Sequence, residues 1–383
     1  MPTLSQQTKP LLIQVVEQIA DGVLLTDCHG IIEYVNPAFE RMTGFSADDV
    51  RGKTPRILKS GLQDAAFYQE MWGELRAGRL FQATITNRRK SGEIYPVEET
   101  ITPIVDETGR VSHFVAVIQD ISEALNIQER EVQLRLARQI QRKFYRAAPT
   151  LQGFDIAAAA YPAYETSGDY FDFITLPHNR LGIAVGDVEG HGFGSALVMA
   201  LTRAYVHSFA SMGLEVDQIL TQVNRMLVDD LGDGCFVTLM LASLDVGTRS
   251  LVYAGAGHIP GYVLSPSGAV EHTLESSGPP LGLFPTVRFS RNAPLVLHPG
   301  QLLVLLTDGI TESTSPDGVE WSAQGALNYL VTHSHQTAGQ LTEGLYRQAQ
   351  RFACNEPQKD DITSVVVKVE PPSTVSNPVL SQP

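Results

Sequence analysis

The sequence predicts a two-domain α+β protein whose halves are joined by a helical connector, and three observations carry that prediction. The chain has 383 residues, too long for a typical single domain, and is 43% hydrophobic, so each half can bury a core. Apolar runs that read as strands alternate in both halves with segments of helical spacing. Between the halves, residues 121–148 hold neither Gly nor Pro and are rich in Gln, Glu and Arg.

In the first half, Leu11, Leu12, Val15, Val16 and Ile19 recur at helical spacing. Val23–Thr26 and Ile31–Val35 read as strands about a Cys28-His29-Gly30 turn. Asn36 then suits a helix N-cap, with Pro37 at the first position and Gly44 past the end. Ser46-Ala47-Asp48-Asp49 reads as another helix start. Leu80–Arg89 and Glu93–Val105 are strand-like and meet at Ser91-Gly92, and a last strand runs from Val111 to Gln119.

This order, with Gly30–Phe45 (GIIEYVNPAFERMTGF), Ile101–Ile104 and Phe114–Ser122 (FVAVIQDIS), resembles a PAS sensor domain over residues 8–122. The resemblance implies a five-stranded antiparallel sheet flanked by helices, and a domain that holds a small ligand or dimerises. The residues name no ligand. Pro55 stands in the Thr54–Lys59 segment where light-sensing relatives carry an adduct-forming cysteine, which disfavours a flavin photoadduct. His29 and His113 read as solvated or packed side chains, not haem ligands.

In the connector, Ile121, Leu125, Val132, Leu136 and Ile140 hold one face, widened by Leu134 and Phe144. As one helix from 121 to 148 it would be about 42 Å long at about 1.5 Å per residue, and able to pair with a second copy as a coiled coil. Gln128 and Arg135 at seam positions make the heptad imperfect.

The second half is organised around Gly186-Asp187-Val188-Glu189-Gly190-His191-Gly192-Phe193-Gly194. The apolar run Leu181–Val185 feeds it as a buried strand, and Ser195–Ser208 follows as a helix with Leu197, Leu201, Ala204 and Ser208 on one face. Asp155–Tyr161, Asp169–Thr175, Phe236–Leu244, Ser250–Ala254, Leu302–Leu306 and Ile362–Val369 read as further strands. Val216–Leu231, Leu327–Leu330 and Leu341–Phe352 read as helices, and 371–383 as a disordered tail. Acids recur at strand edges: Asp169, Asp187, Asp308 and the Asp360-Asp361 pair. Gathered in space they would repel one another without a cation between them. Oxygen ligands of this kind suit Mg²⁺ or Mn²⁺. Scattered solvated loop acids are the alternative that the residues alone leave open.

Residues 138–369 resemble the stage II sporulation E-type serine phosphatases, a branch of the metal-dependent, protein phosphatase 2C-like superfamily. The resemblance rests on Ala137–Arg142 (ARQIQR), Ser167–Asp172 (SGDYFD), Gly186–Gly192, Ala254–His258, Pro280–Phe284, Thr307–Gly309 and Asp360–Thr363. It implies an α-β-β-α sandwich over residues 150–370, behind a linker over 123–149. It also implies two Mn²⁺ or Mg²⁺ ions, with Asp187 bridging them and the Val188 carbonyl on one. Asp308 and Asp360 would each bind an ion, Asp361 would support Asp360, and Asp169 would bind directly or through water. The nucleophile would be a metal-activated water, with Asp187, Asp308 and Asp169 as the catalytic set. His191 lies further along its loop than the general-acid histidine of eukaryotic relatives. No arginine stands in a phosphate-gripping motif, and Phe144–Pro149 is more polar than the usual Leu-Leu-Pro ending of the regulatory helix. His258, between Gly255, Gly257 and a turn, reads as structural.

Composition narrows the function. Lys plus Arg number 28 against 42 Asp plus Glu, and residues 149–383 hold 10 basic against 23 acidic side chains. Such acidity disfavours nucleic acid as a partner. No apolar stretch approaches the ~20 residues of a membrane span, and residues 1–10 lack a signal-peptide core. Cys28, Cys235 and Cys354 form neither a disulfide framework nor a zinc spacing and read as buried apolar packing in a reducing cytoplasm. The expectation is a cytoplasmic, homodimeric, signal-regulated protein serine/threonine phosphatase. Its substrate, by the same resemblance, is a phosphorylated anti-sigma-factor antagonist of the STAS type. The rival reading is a catalytically inactive adaptor of the same fold.

Overall fold

The structure, a computed structural model, describes residues 8–232 and 234–371. The chain divides into two compact units, residues 1–132 and 133–383. From residue 372 on, the expected tail lies outside the described residues.

The first unit contains α1 (Thr8–Gln18), β1 (Gly22–Asp27), β2 (Ile32–Val35), α2 (Pro37–Thr43), α3 (Ala47–Val50), α4 (Ala65–Arg76), β3 (Phe81–Arg88), β4 (Ile94–Val105) and β5 (Val111–Asp120). Its five strands form one antiparallel sheet in the order β2-β1-β5-β4-β3, the PAS arrangement. Asn36 ties the entry together. Its Oδ1 accepts from the Val23 and Phe39 N–H groups at 2.8 and 2.9 Å, and its Nδ2 donates to the carbonyls of Val16 and Asp21 at 3.0 Å. One buried side chain thus caps α2 and fixes α1 and β1 around it. His113 lies beside Glu33 at 3.5 Å on a half-exposed surface, as a packed side chain would.

Tyr95, Val97, Glu99 and Ile101 alternate onto the buried face of β4. Glu99 is the odd member, a carboxyl that burial pushes up to about 7. Because its folded value lies above the unfolded one, its contribution to stability is present below about pH 4.5 and is lost as pH rises through 7. Glu99→Gln should therefore raise the urea midpoint of this unit at pH 8 and leave it nearly unchanged at pH 5. An equal shift at both values would refute this account.

Helix α5 (Ser122–Gln141) leaves the sheet and is shorter than the 121–148 span expected from composition. Phe144 and Tyr145 turn aside to join the cores of the second unit, which ends the helix. Leu125, Val132, Leu136 and Ile140 are all exposed along it.

The second unit adds β6 (Phe154–Tyr161), β7 (Tyr170–Leu176), β8 (Arg180–Val188), α6 (Phe193–Ser211), α7 (Val216–Asp230), β9 (Val237–Asp245), β10 (Ser250–Ala256), β11 (Gly261–Leu264), β12 (Val270–Leu274), β13 (Leu295–Val296), β14 (Leu302–Leu306), α8 (Asp308–Thr311), α9 (Ser322–Thr332), α10 (Ala338–Phe352) and β15 (Ile362–Val369). Two five-stranded antiparallel sheets result, β13-β10-β9-β8-β7 and β12-β11-β14-β15-β6. Alternation assigns the layers. Leu181, Ile183 and Val185 of β8 meet Leu303, Leu305, Val365 and Val367 between the sheets. Ala184 and Val188 face α6 and α7, while Leu302, Val304 and Val366 face α9 and α10. The order helix, sheet, sheet, helix is the α-β-β-α sandwich. Continuous apolar strands follow because both faces of each sheet are covered.

Two details differ from expectation. On α6 the face bearing Leu197, Ala204 and Ser208 turns outward, and Met199, Thr202, Val206 and Ala210 are the buried ones. Cys28 and Cys354 are exposed and Cys235 is half-buried, because the first two stand in turns and not on core-facing elements. Among the described residues no helix is long and apolar enough to cross a membrane.

Candidate active site

The acids singled out from the sequence stand at the ends of four strands, two in each sheet. Asp169 immediately precedes β7 and Asp187 is the penultimate residue of β8, while Asp308 follows β14 and Asp360-Asp361 precede β15. Backbone pairing brings these ends together. Thr307 N–H donates to the Thr363 carbonyl at 3.0 Å, and the Thr363 N–H donates to Thr307 Oγ1 at 2.9 Å. Across the sandwich, the Thr307 hydroxyl donates to Asp169 Oδ2 at 2.8 Å. Asp361 accepts from the Ala163 and Gly168 N–H groups at 2.7 and 2.8 Å, one on each carboxylate oxygen, and its own N–H donates to Asp360 Oδ1 at 2.8 Å.

Glycine permits the approach. At Gly168 a Cβ would stand 2.9 Å from the Val188 carbonyl oxygen and 3.4 Å from Asp187 Oδ1, and at Gly309 it would collide with the Asp361 carbonyl. The acids therefore share one edge. Their electrostatics agree: burial, then the charges of Asp308, Asp360 and Asp361, push Asp187 up to about 8. Asp308 is pushed up to about 6 by burial and by Asp360, and Asp169 is driven well above the carboxylate range by burial and by Asp187. Asp360 is raised by burial, against which His191 acts as a nearby positive influence. Among the described residues no three side chains close into a ready ligand cage. The donor set is nevertheless all oxygen, hard, and short of positive charge, which suits a divalent cation.

Asp172, though part of the same motif as Asp169, points elsewhere. It is buried beneath α6 with Tyr170, Arg203 and His207, at 3.1, 3.0 and 2.5 Å from its Oδ2. His191 stacks on Tyr164 with ring centroids 4.7 Å apart, at the rim of the acidic edge. His258 is buried behind that edge, with Nε2–H on the Leu306 carbonyl at 3.0 Å and Nδ1 on the Thr238 hydroxyl at 2.9 Å. It thereby joins strand β9, beside Asp187, to β14, just before Asp308. Burial holds it down to about 4. The stability it contributes is full above the unfolded value of about 6.5 and is lost as pH falls through 4. Acid unfolding of this unit between those values should be blunted in His258→Gln, and an unchanged acid transition would exclude His258 as its source.

Sequence reasoning missed the contacts that brace the edge from outside. Gln141, the last residue of α5, donates from Nε2 to the Ser167 carbonyl at 2.6 Å and accepts the Ser167 N–H on Oε1 at 3.0 Å. Tyr145 donates to the Asp169 carbonyl at 2.9 Å and stacks on Phe171 at 5.0 Å. Gln141 falls within the ARQIQR stretch, but nothing in its spacing says that its amide is buried against a loop 26 residues on.

Comparison with known proteins agrees with this geometry. The family model described as stage II sporulation protein E matches residues 177–370, and a PAS domain model matches 20–123. Protein IcfG of Synechocystis sp. is 27% identical over 279 residues, covering 66% of this chain and 43% of its own length. Phosphoserine phosphatase RsbU of Bacillus subtilis is 26% identical over 246 residues, covering 63% of this chain and 71% of its own. The SiaA-PP2C domain of Pseudomonas aeruginosa superposes with a TM-score of 0.56 at 22% identity, over 64% of this chain and 98% of that domain, a likeness of fold. The chain spans less than half the length of the first of these relatives. With its two sheets, its acidic edge and a family match over half its length, the chain belongs to the stage II sporulation protein E family, with a PAS domain ahead of the matched region.

Proposed function

We propose that this protein is a PAS-regulated protein phosphatase acting on phosphoserine or phosphothreonine of a partner-switching regulator, an anti-sigma-factor antagonist of the STAS type. The observation that carries the reading is the convergence of Asp169, Asp187, Asp308 and Asp360 from four strands onto one edge, each with a raised carboxyl. Asp187, the Val188 carbonyl, Asp308, Asp360 and Asp169 would hold two Mn²⁺ or Mg²⁺ ions. Such ions, when bound, would acidify a water and offset charge on the phosphoryl oxygens. The chain's part is placement. Asp361 spends both oxygens on the 163–168 loop, so it acts as the brace that keeps Gly168 and Asp169 against the Asp187 strand. The Thr307 hydroxyl orients Asp169 from the opposite sheet.

Regulation follows the connector. The sensor would comprise residues 8–122, the linker 123–149 and the catalytic domain 150–370. The exposed Leu125, Val132, Leu136 and Ile140 supply a surface for pairing with a second copy. Gln141 carries the state of that helix to Ser167, two residues from Asp169. The cytoplasm is the compartment that suits three unpaired cysteines. The deciding experiment follows Mn²⁺-dependent phosphate release from a phosphorylated STAS-type protein beside p-nitrophenyl phosphate. Faster turnover of the phosphoprotein, lost in Asp308→Asn, is expected. Binding of the phosphoprotein without turnover would favour an adaptor instead.

A further inference from the structure

The helical layer over the second sheet carries a feature apart from the acidic edge. Between the C-terminal end of α9 and the solvent side of α10 lies a cleft of about 390 Å³, walled by Tyr329, His333, Gln340, Arg347, Gln348 and Arg351. Its α10 residues recur at helical spacing and so form one stripe. Gly344 makes the floor: a Cβ there would collide with the Tyr329 hydroxyl, so its absence lets the phenol lie against the helix. The wall is also held in place. His333 stacks on Tyr329 at 4.2 Å and donates from Nδ1 to its carbonyl at 2.8 Å, which leaves Nε2 free of that bond. Lys368 Nζ donates to the carbonyls of Ser334 and Gln336 at 2.7 and 3.0 Å, pinning the turn between the helices.

The polar inventory is lopsided. Glu343 is the one acid lining the cleft, and it is already paired with Arg347 at 2.5 Å. Arg351 makes no ion pair among the described residues. Gln340 gives its Oε1 to the Thr337 N–H, which leaves its amide N–H₂ to donate. Two of the ten basic residues of 149–383 thus stand one helical turn apart, in a half with 23 acids. On so acidic a body an anion is accepted only where positive charge is locally in excess. Guanidinium forks match phosphate oxygens in pairs, and the mutually stacked Tyr329 and His333 rings line the cleft beside them.

We propose that this cleft binds a small phosphate ester bearing a planar ring, a ligand of mononucleotide size. The phosphate would lie on Arg347 and Arg351, and the ring beside Tyr329 and His333. The cleft volume falls within the range of small-molecule sites.

The test uses the full chain with chelator present, so that no metal-held phosphate at the acidic edge confuses the readout. Titration calorimetry with AMP, GMP and inorganic phosphate is run at physiological salt on the parent and on the Arg347→Gln/Arg351→Gln double variant. The expected result is saturable nucleotide binding stronger than that of inorganic phosphate, weakened about tenfold or more in the double variant. Gly344→Val should weaken it as well, with both variants keeping the parent circular dichroism. Mn²⁺-dependent turnover without nucleotide should stay at the parent rate in the double variant. Equal binding in parent and double variant would overturn the proposal. So would the absence of saturation by any of the three probes, or binding that inorganic sulfate reproduces in full and salt abolishes, the mark of diffuse surface attraction.

Discussion

Asp187→Asn is expected to lower Mn²⁺-dependent phosphate release by on the order of 10³-fold, since it removes charge from the centre of the acidic edge. The same substitution should stabilise the metal-free protein, which separates it from a folding defect. Burial and three neighbouring carboxylates push Asp187 up to about 8. A folded value so far above the unfolded one means that protons bind more tightly to the folded state. The contribution to stability is present below about pH 4 and is lost as pH rises through 8. Parent protein with chelator should therefore unfold at lower urea as pH climbs from 5 to 8, and Asp187→Asn should flatten that slope. Excess Mn²⁺ should restore the parent and leave the variant unmoved. A variant with parental turnover would remove Asp187 from the catalytic set, and a variant less stable than the parent at pH 8 would remove the repulsion argument.

The second large effect is expected at Gln141. Its amide makes two buried hydrogen bonds to one backbone residue, so Gln141→Ala strands a donor and an acceptor at a cost to the second unit of about 1–3 kcal/mol each. The functional loss should exceed what stability explains, because Ser167 leads directly into Gly168 and Asp169. We expect about a tenfold rise in the Mn²⁺ concentration for half-maximal activity, on the scale of residues that orient ligands from behind, with kcat recovering at saturating Mn²⁺. Gln141→Glu keeps the acceptor for the Ser167 N–H but turns an oxygen on the Ser167 carbonyl, and should be no better. If kcat itself falls at saturating metal while metal dependence holds, the contact serves the chemistry and not the placement.

The strands and the acids were legible because their causes are local. Continuous apolar runs such as Leu302–Leu306 mark strands covered on both faces, and an Asp just past such a run is visible without knowing the fold. Asn36 was legible for the same reason, as a cap read from its neighbours. What escaped detection depends on partners distant along the chain. The short strands β11 and β13 pair with β14 and β10, about 40 residues away, and carry little signal of their own. The outward face of α6 has the same spacing as its inward one, so periodicity finds the helix and leaves its orientation open. The resemblance favoured Asp360 over Asp361 as a ligand, but nothing in the residues around the pair gave a physical reason. The Ala163 and Gly168 N–H groups occupy both Asp361 oxygens, a contact with a loop almost 200 residues earlier that no local pattern announces.

The exposed thiols have a practical consequence. Cys28 stands in the turn between β1 and β2, and Cys354 just past α10, so each compact unit already bears its own accessible attachment point. A spin label or dye pair placed there would report the separation of the two units under different conditions. Cys235, half-buried and with its thiol pushed up by burial, should react more slowly than either. Each unit thus carries a native attachment point, and no engineered residue is needed to label it.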